Sequence, residues 1–296
     1  MRIGLITRLL WPRYGPFWEA LFGHAGLETV TAPRDGLGRA LRDVRLAAVP
    51  GVAFELAAAQ ALALHDADVL LAPELNPGEE TARGSGQDPW IASFPDTLAK
   101  VMVGLPPVLG VPASLDAALE SLAIGTLQTL IHDPALARRA WERSRALAKP
   151  PRYGEPRWTA LGRETVGLVA QPWLLGDGIV ERLGAWVGVE GRHLVSQHVL
   201  NPAALREEGR RVGERLIGSD REVLGAAHLM ARKGSVARLV MLIDESSGAD
   251  TLLRGRLERN LRKPLEIVSL QDLLGQTSLG QTAPGQARSS AATLLD

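Results

Sequence analysis

The chain contains no cysteine. That excludes disulfides, thiolate-held iron–sulfur clusters, cysteine nucleophiles and cysteine-based zinc sites. Lysine is scarce: Lys100, Lys149, Lys233 and Lys263 are all there is, and arginine carries the rest of the positive charge. Neither sign of charge dominates, with 33 basic and 33 acidic residues in a chain of 296. A neutral chain lacks the basic excess of a nucleic-acid binder, so no nucleic-acid partner is expected. No uninterrupted apolar run reaches the ~20 residues of a membrane-crossing helix. The most apolar stretch, 52–64, is broken by Glu55 and Gln60 and ended by His65 and Asp66. Met1-Arg2 leads into a short apolar run, not into the longer core of a secretory signal. A cytoplasmic location and no membrane partner are therefore expected.

What is present is an alternation of strand and helix patterns. Residues 2–7 read as a strand, 8–15 as a loop, and Pro16 as the opening of a helix ended by Gly26. Residues 28–31 read as a second strand, 36–44 and 52–65 as helices, and 68–72 as a buried parallel strand. A loop rich in Gly, Glu and Pro follows at 73–89, long enough to suggest a binding loop or lid. A strand at 107–111 precedes a helix starting near Ser114 and Asp116. Asp133 caps the next helix, with Pro134 at its first position. Pro150, Pro151, Gly154 and Pro156 mark a linker, after which the pattern restarts. Strands are expected at 164–170, 193–197, 237–243 and 265–268, and helices from 178 to 187, 220–233 and 250–261.

These patterns predict an α/β protein of two Rossmann-like parallel-sheet domains facing an inter-domain cleft. The expected boundaries are 1–149 for the first domain, 150–163 for the linker and 164–274 for the second domain. The polar stretch 275–296 is expected to be a disordered tail.

In open parallel sheets, ligands bind outside the carboxyl ends of the strands. That selects the loops 7–15, 73–89, 171–178 and 244–250. In the last, Ser246, Ser247 and Gly248 could cradle an anion, or Ser247 or Asp250 could simply cap the following helix. The three acidic residues there, Asp244, Glu245 and Asp250, weigh toward the cap. Trp11, Trp90 and Trp173 lie in or beside these loops and could stack on a planar ligand or pack in the core. His193 and His198 lack a nearby carboxylate to complete a metal triad, so no metal and no cofactor are expected. Residues 206–215 mix Arg with Glu and read as an exposed helix face. No dinucleotide fingerprint or P-loop is present.

Several motifs occur in a suggestive order. Met1-Arg2-Ile3-Gly4-Leu5, Leu9-Leu10 and Tyr14-Gly15-Pro16-Phe17-Trp18 open the chain. Asp88-Pro89, Phe94-Pro95-Asp96 and Leu105-Pro106-Pro107 follow, then Gln171-Pro172 with Asp177. Arg221-Glu222-Val223-Leu224-Gly225-Ala226-Ala227 and Ser247-Gly248-Ala249-Asp250-Thr251 come last. This series resembles the family related to 2-hydroxyacyl-CoA dehydratases and their activases, up to about residue 270. The resemblance implies two Rossmann-like domains with an iron–sulfur cluster held between them by cysteines. The corresponding positions here are Ala48, Asp88 and Ser247, none of which offers a thiolate. The family's early Pro-Arg is replaced by Ile6-Thr7, and its terminal acidic element has no counterpart at Gln271-Asp272.

The resemblance thus implies the fold without the redox chemistry. The expected function is a cluster-less, non-redox ligand- or protein-binding module. A metal-independent lyase or hydrolase acting on an acyl-CoA or related organic acid is the alternative. Its cleft residues are expected among Thr7, Arg8, Tyr14, Ala48, Asp88, Trp90, Gln171, Trp173, Ser246, Ser247 and Asp250. A small-molecule acid or acyl-CoA is the expected ligand, and a homologous subunit or a second copy the expected protein partner.

Overall fold

The computed structural model describes residues 1–76, 88–115, 118–176, 178–189, 191–213 and 215–273, with the side chains of 48 and 186–189 left aside. Contacts group the chain into two compact units. The first comprises Met1–Ala48, Leu56–Pro77 and Ser93–Pro151. The second comprises Val49–Glu55, Gly78–Ala92 and Arg152–Asp296. Two segments from the amino-terminal half, Val49–Glu55 and the described part of Gly78–Ala92, thus belong with the second unit.

The first unit is a parallel sheet of β1 (Arg2–Leu5), β2 (Glu28–Thr31), β3 (Val69–Glu74) and β4 (Val108–Pro112) in the order β2-β1-β3-β4. Its helices are α1 (Trp11–His24), α2 (Arg34–Ala40), α3 (Gly51–Ala63), α4 (Pro89–Ala92), α5 (Phe94–Val101), α6 (Leu119–Ile131) and α7 (Pro134–Ser144) in chain order, though α4 and the first turn of α3 group with the second unit. Val69–Ala72 is buried throughout, as a strand covered on both faces requires. Phe17, Trp18, Leu21 and Phe22 bury one side of α1, and Phe17 meets Trp141 of α7 edge-on at 5.8 Å. Asp133 caps α7 as its residue type predicts, accepting from the N–H groups of Ala135 and Leu136 at 2.9 Å.

Helix α1 begins five residues earlier than the proline pattern suggests. Pro12, not Pro16, occupies its first turn, and Trp11–Gly15 is helical rather than loop. Pro16 lies inside the helix, where it cannot donate to the carbonyl of Pro12. It is tolerated because it is exposed and lies near the start of the helix, where only one intrahelical bond is lost. The helix expected at 36–44 is instead α2 followed by a 3₁₀ turn at Val44–Ala48. Helix α6 starts at Leu119, later than Ser114 and Asp116 suggest. Most of the loop 73–89 lies outside the described residues. Its ends are ordered differently from expectation, with β3 continuing through Glu74 and α4 opening at Pro89.

The second unit is built on the same plan. Its strands β5 (Thr165–Val169), β6 (His193–Ser196), β7 (Val236–Ile243) and β8 (Leu265–Ser269) are parallel, in the order β6-β5-β7-β8. Helices α8 (Ile179–Val189), α9 (Pro202–Val212), α10 (Gly218–Ala231) and α11 (Gly248–Asn260) connect them. Leu205, Val223, Leu224, Met230, Leu239, Met241 and Leu253 lie in its core. Helix α9 presents Glu207, Arg210 and Arg211 to solvent, as the reading of 206–215 expects, and buries Leu205, Glu208 and Gly209 on its other side. A Cβ on Gly209 would lie 2.0 Å from the carbonyl oxygen of Arg221, and one on Gly225 1.9 Å from that of Leu205. The backbones of α9 and α10 touch, so both positions must be glycine. The tail 275–296 and Asp177 lie outside the described residues.

Among the described residues, no helix is long and apolar enough to cross a membrane.

Candidate functional site

In each unit the strand order reverses direction between the first and third strands. With right-handed crossovers, the connections leave those two strands toward opposite faces and open a crevice at their carboxyl ends. In the second unit this point lies between β5 and β7. Gln171 follows β5, and Asp244, Ser246 and Ser247 follow β7. Asp250 sits in the first turn of α11.

Ser247 has an extended backbone and an oxygen-bearing side chain, the combination that caps a helix. Its Oγ accepts from the Asp250 N–H at 3.2 Å and donates to Asp88 Oδ2 at 2.6 Å. Asp88 Oδ1 accepts from the Gly248 N–H at 3.1 Å. Asp88 is therefore a second acceptor at the start of α11, supplied from a distant part of the chain. This geometry is the capping arrangement, not an anion cradle.

Asp244 holds a second tie. Its Oδ2 accepts from the Val52 N–H at 2.7 Å, in the first turn of α3. Gly51 has φ +80°, and a Cβ there would lie 2.8 Å from Asp244 Oδ2, so glycine is needed for both reasons. Asp244 Oδ1 accepts from the Ser246 N–H at 3.0 Å, Ser246 Oγ at 2.5 Å and Gln271 Nε2 at 2.9 Å.

Asp250 is 1 % exposed. Its Oδ2 accepts from the Asp244 N–H at 2.8 Å, while Oδ1 has no partner among the described residues. Burial pushes its carboxyl well above the ordinary carboxylate range, and the charges of Asp244, Asp88 and Asp220 push the same way. Gln171 Nε2 donates to Asp220 Oδ1 at 2.9 Å, and both residues are buried. Gln171 Oε1 has no partner among the described residues. Gln197, just past β6, accepts from the Ala170 N–H at 3.3 Å but leaves its Nε2 unpaired, as Ser196 leaves its Oγ.

Trp90 and Trp173 are buried against each other, with ring centroids 5.2 Å apart, and Phe54 meets Trp90 edge-on at 5.8 Å. These indoles pack in the core of the unit rather than present a face to a planar ligand. Trp11 packs edge-on against Tyr14 at 5.3 Å.

Of the residues selected from sequence, Asp88, Trp90, Gln171, Trp173, Ser246, Ser247 and Asp250 all belong to the second unit. Thr7, Arg8, Tyr14 and Ala48 belong to the first. Thr7 Oγ1 accepts from Gln60 Nε2 at 3.0 Å, and Arg8 is half-buried. Tyr14 is buried within α1, which pushes its hydroxyl pKa well above the usual value. The Ala48 side chain lies outside the description. Sequence reasoning passed over Asp220, Gln197 and the special role of Asp244. Asp244 had a readable signal, an acid directly after a long buried strand. Asp220 and Gln197 had none, since both join the site only through contacts from other loops.

An iron–sulfur cluster does not fit this chemistry. The Asp88 carboxyl and the Ser247 hydroxyl are engaged with each other and with backbone N–H groups, and both are hard oxygen donors. Among the described residues, no group of three His, Asp or Glu side chains is arranged to hold a metal ion. Compared with protein-family models, curated proteins and solved structures, the chain matches none.

Proposed function

We propose that this chain is a cluster-less relative of the 2-hydroxyacyl-CoA dehydratase and activase-related proteins, acting as a non-redox ligand- or protein-binding module. The observation that supports this reading is the meeting of Asp88 and Ser247. Both stand where the resembled motifs carry cysteines. They lie 159 residues apart in sequence, yet their side chains touch at 2.6 Å. Their meeting is what the resemblance implies for two positions of one ancestral site. The common strand order of the two sheets agrees with the paired-domain plan that the resemblance implies.

In this reading, hydrogen bonds have taken over the tethering of the loops. Asp88 joins α11 to the segment that opens α4, and Asp244 joins the end of β7 to the first turn of α3. The chemistry of the crevice is then that of carboxyls, carboxamides and hydroxyls.

The decisive measurement is iron content after purification without oxygen. The protein should be colourless and iron-free. Iron in stoichiometric amount, with a brown colour, would overturn the proposal.

The alternative, a metal-independent lyase or hydrolase on an acyl-CoA or related acid, draws on Asp250. A carboxyl kept neutral by burial is the kind of group that serves as a general acid. The acidic residues beside it, Asp88, Asp220 and Asp244, however, disfavour an anionic substrate. Acyl-CoAs that stabilise the protein against heat and are consumed by it would favour this second reading.

A further inference from the structure

The first unit carries an opening of its own. Only His132 and Asp133 join α6 to α7, so the chain turns straight back and the two helices pack as an antiparallel hairpin. A cavity of about 530 Å³ lies along their junction, lined by residues of these two helices alone. That volume is in the range of small-molecule sites. Trp141, 5 % exposed, and the half-buried Ile124 and Gly125 form its apolar middle. Gly125 stands inside α6, where glycine weakens a helix relative to alanine. Gly209 and Gly225 are forced by a facing carbonyl, but a Cβ on Gly125 would meet nothing within 4 Å. No close approach of backbone requires this glycine, and its missing side chain leaves the cavity open at mid-length.

The polar lining is sorted along this groove. Glu120 in the first turn of α6 and Glu142 near the end of α7 share the end far from the connecting turn. Gln128 and Arg138 share the near end. A helical rise of about 1.5 Å per residue separates the two ends by ~12 Å along α6, from Glu120 to Gln128, and by ~6 Å along α7, from Arg138 to Glu142. Glu120, Arg138 and Glu142 are exposed at the rim. Among the described residues, Glu120 and Arg138 make no ion pair or side-chain hydrogen bond, and Glu142 makes only a long, exposed pair with Arg145 at 3.9 Å. One end is therefore acidic, the other offers a guanidinium and a carboxamide, and the floor between them is apolar.

We propose that the groove between α6 and α7 binds a small zwitterion whose ammonium and carboxylate are separated by a short apolar chain. The ammonium meets Glu120 and Glu142. The chain lies over Ile124, Gly125 and Trp141. The carboxylate meets the guanidinium of Arg138, whose planar fork matches a carboxylate, and the carboxamide of Gln128. The separation of the two ends selects against an ordinary α-amino acid, in which one carbon carries both charged groups. This site belongs to the first unit and goes beyond the reading of the second.

The test is a nuclear magnetic resonance titration of the full chain with 6-aminohexanoate, read at the tryptophan indole signals. Loss of one signal in Trp141→Phe assigns Trp141. Hexylamine keeps only the ammonium, hexanoate keeps only the carboxylate, and glycine has both without the spacer. The Trp141 signal should move saturably with 6-aminohexanoate at millimolar concentration. Exposed charge pairs set the scale of discrimination, so each control should bind at least about threefold more weakly. Arg138→Gln should weaken 6-aminohexanoate about threefold to fivefold and leave hexylamine unchanged. Glu120→Gln combined with Glu142→Gln should weaken it likewise and leave hexanoate unchanged. Gly125→Leu, checked for folding by circular dichroism, should fill the middle of the groove and abolish binding; if it misfolds, the charge variants decide. No saturable shift, a shift confined to other indoles, equal binding of hexylamine or hexanoate, or full affinity in folded Gly125→Leu would overturn the proposal. Iron content bears on the second unit alone, so the two readings fail separately.

Discussion

Ser247 Oγ donates to Asp88 Oδ2 at 2.6 Å, and the same Oγ accepts from the Asp250 N–H at 3.2 Å. One hydroxyl thus caps a helix and fastens a segment that is remote in sequence. Ser247→Ala removes both bonds and leaves the half-sealed Asp88 carboxyl with one donor fewer. Loss of a cap alone is worth ~1 kcal/mol. Ser247→Ala and Asp88→Ala should each destabilise by ~1–3 kcal/mol, through the lost bond and the partner left unsatisfied. The double variant should lose less than the sum, since both changes break the same bond. Urea unfolding of the four proteins measures the coupling. Additive losses would show that the contact contributes nothing.

Asp250→Asn probes the buried carboxyl. The native state holds this group protonated above the pH at which the unfolded chain releases its proton. The unfolded state therefore gains stability relative to the native state as pH rises above about 4, the usual aspartate range. That loss continues until pH passes the raised native pKa. Asparagine can keep the bond from the Asp244 N–H and does not titrate. The variant should match the wild type near pH 4 and become the more stable of the two as pH rises, by at most ~1.4 kcal/mol per pH unit. Stability curves from pH 4 to 8 decide this. A difference that stays constant with pH would sink it.

Gly209 and Gly225 make opposite demands on propensity and packing. Alanine favours an isolated helix over glycine by ~1 kcal/mol. Here a methyl group at either place would strike the carbonyl oxygen of the facing helix, at 2.0 Å and 1.9 Å respectively. Overpacking of this kind costs ~1–3 kcal/mol and sometimes more. Gly225→Ala should therefore lower the melting temperature clearly, and an increase would show that α9 and α10 can separate without penalty.

Trp173 is buried against Trp90. Trp173→Ala should destabilise by ~3–5 kcal/mol, the range for truncating a large core aromatic. A merely ligand-facing indole would leave stability almost unchanged. Thermal unfolding distinguishes the two.

Much of this was legible in the residues themselves. Short apolar runs between turn residues located the eight strands found among the described residues, and the strand at Glu28–Thr31 emerged with its expected ends. Asp133 announced itself as a cap by residue type and position, while at 244–250 the sequence offered either Ser247 or Asp250 and the structure settles on Ser247. These features are local, so a window of a few residues carries their physics. Pro16 was less tractable. It resembles a helix start, but burial of Tyr14, Phe17 and Trp18 draws the whole segment from Trp11 onward into one helix.

What the tertiary structure alone decided is who meets whom. The contacts of Asp88 with Ser247, Asp244 with Val52 and Gln171 with Asp220 join residues 159, 192 and 49 positions apart. No periodicity encodes such pairs. They arise because parallel strands bring the loops at their carboxyl ends side by side, and the order of those strands is set by the packing of whole helices. The sequence determined which groups could do chemistry; strand order and burial determined which of them stand together, and which are left without a partner.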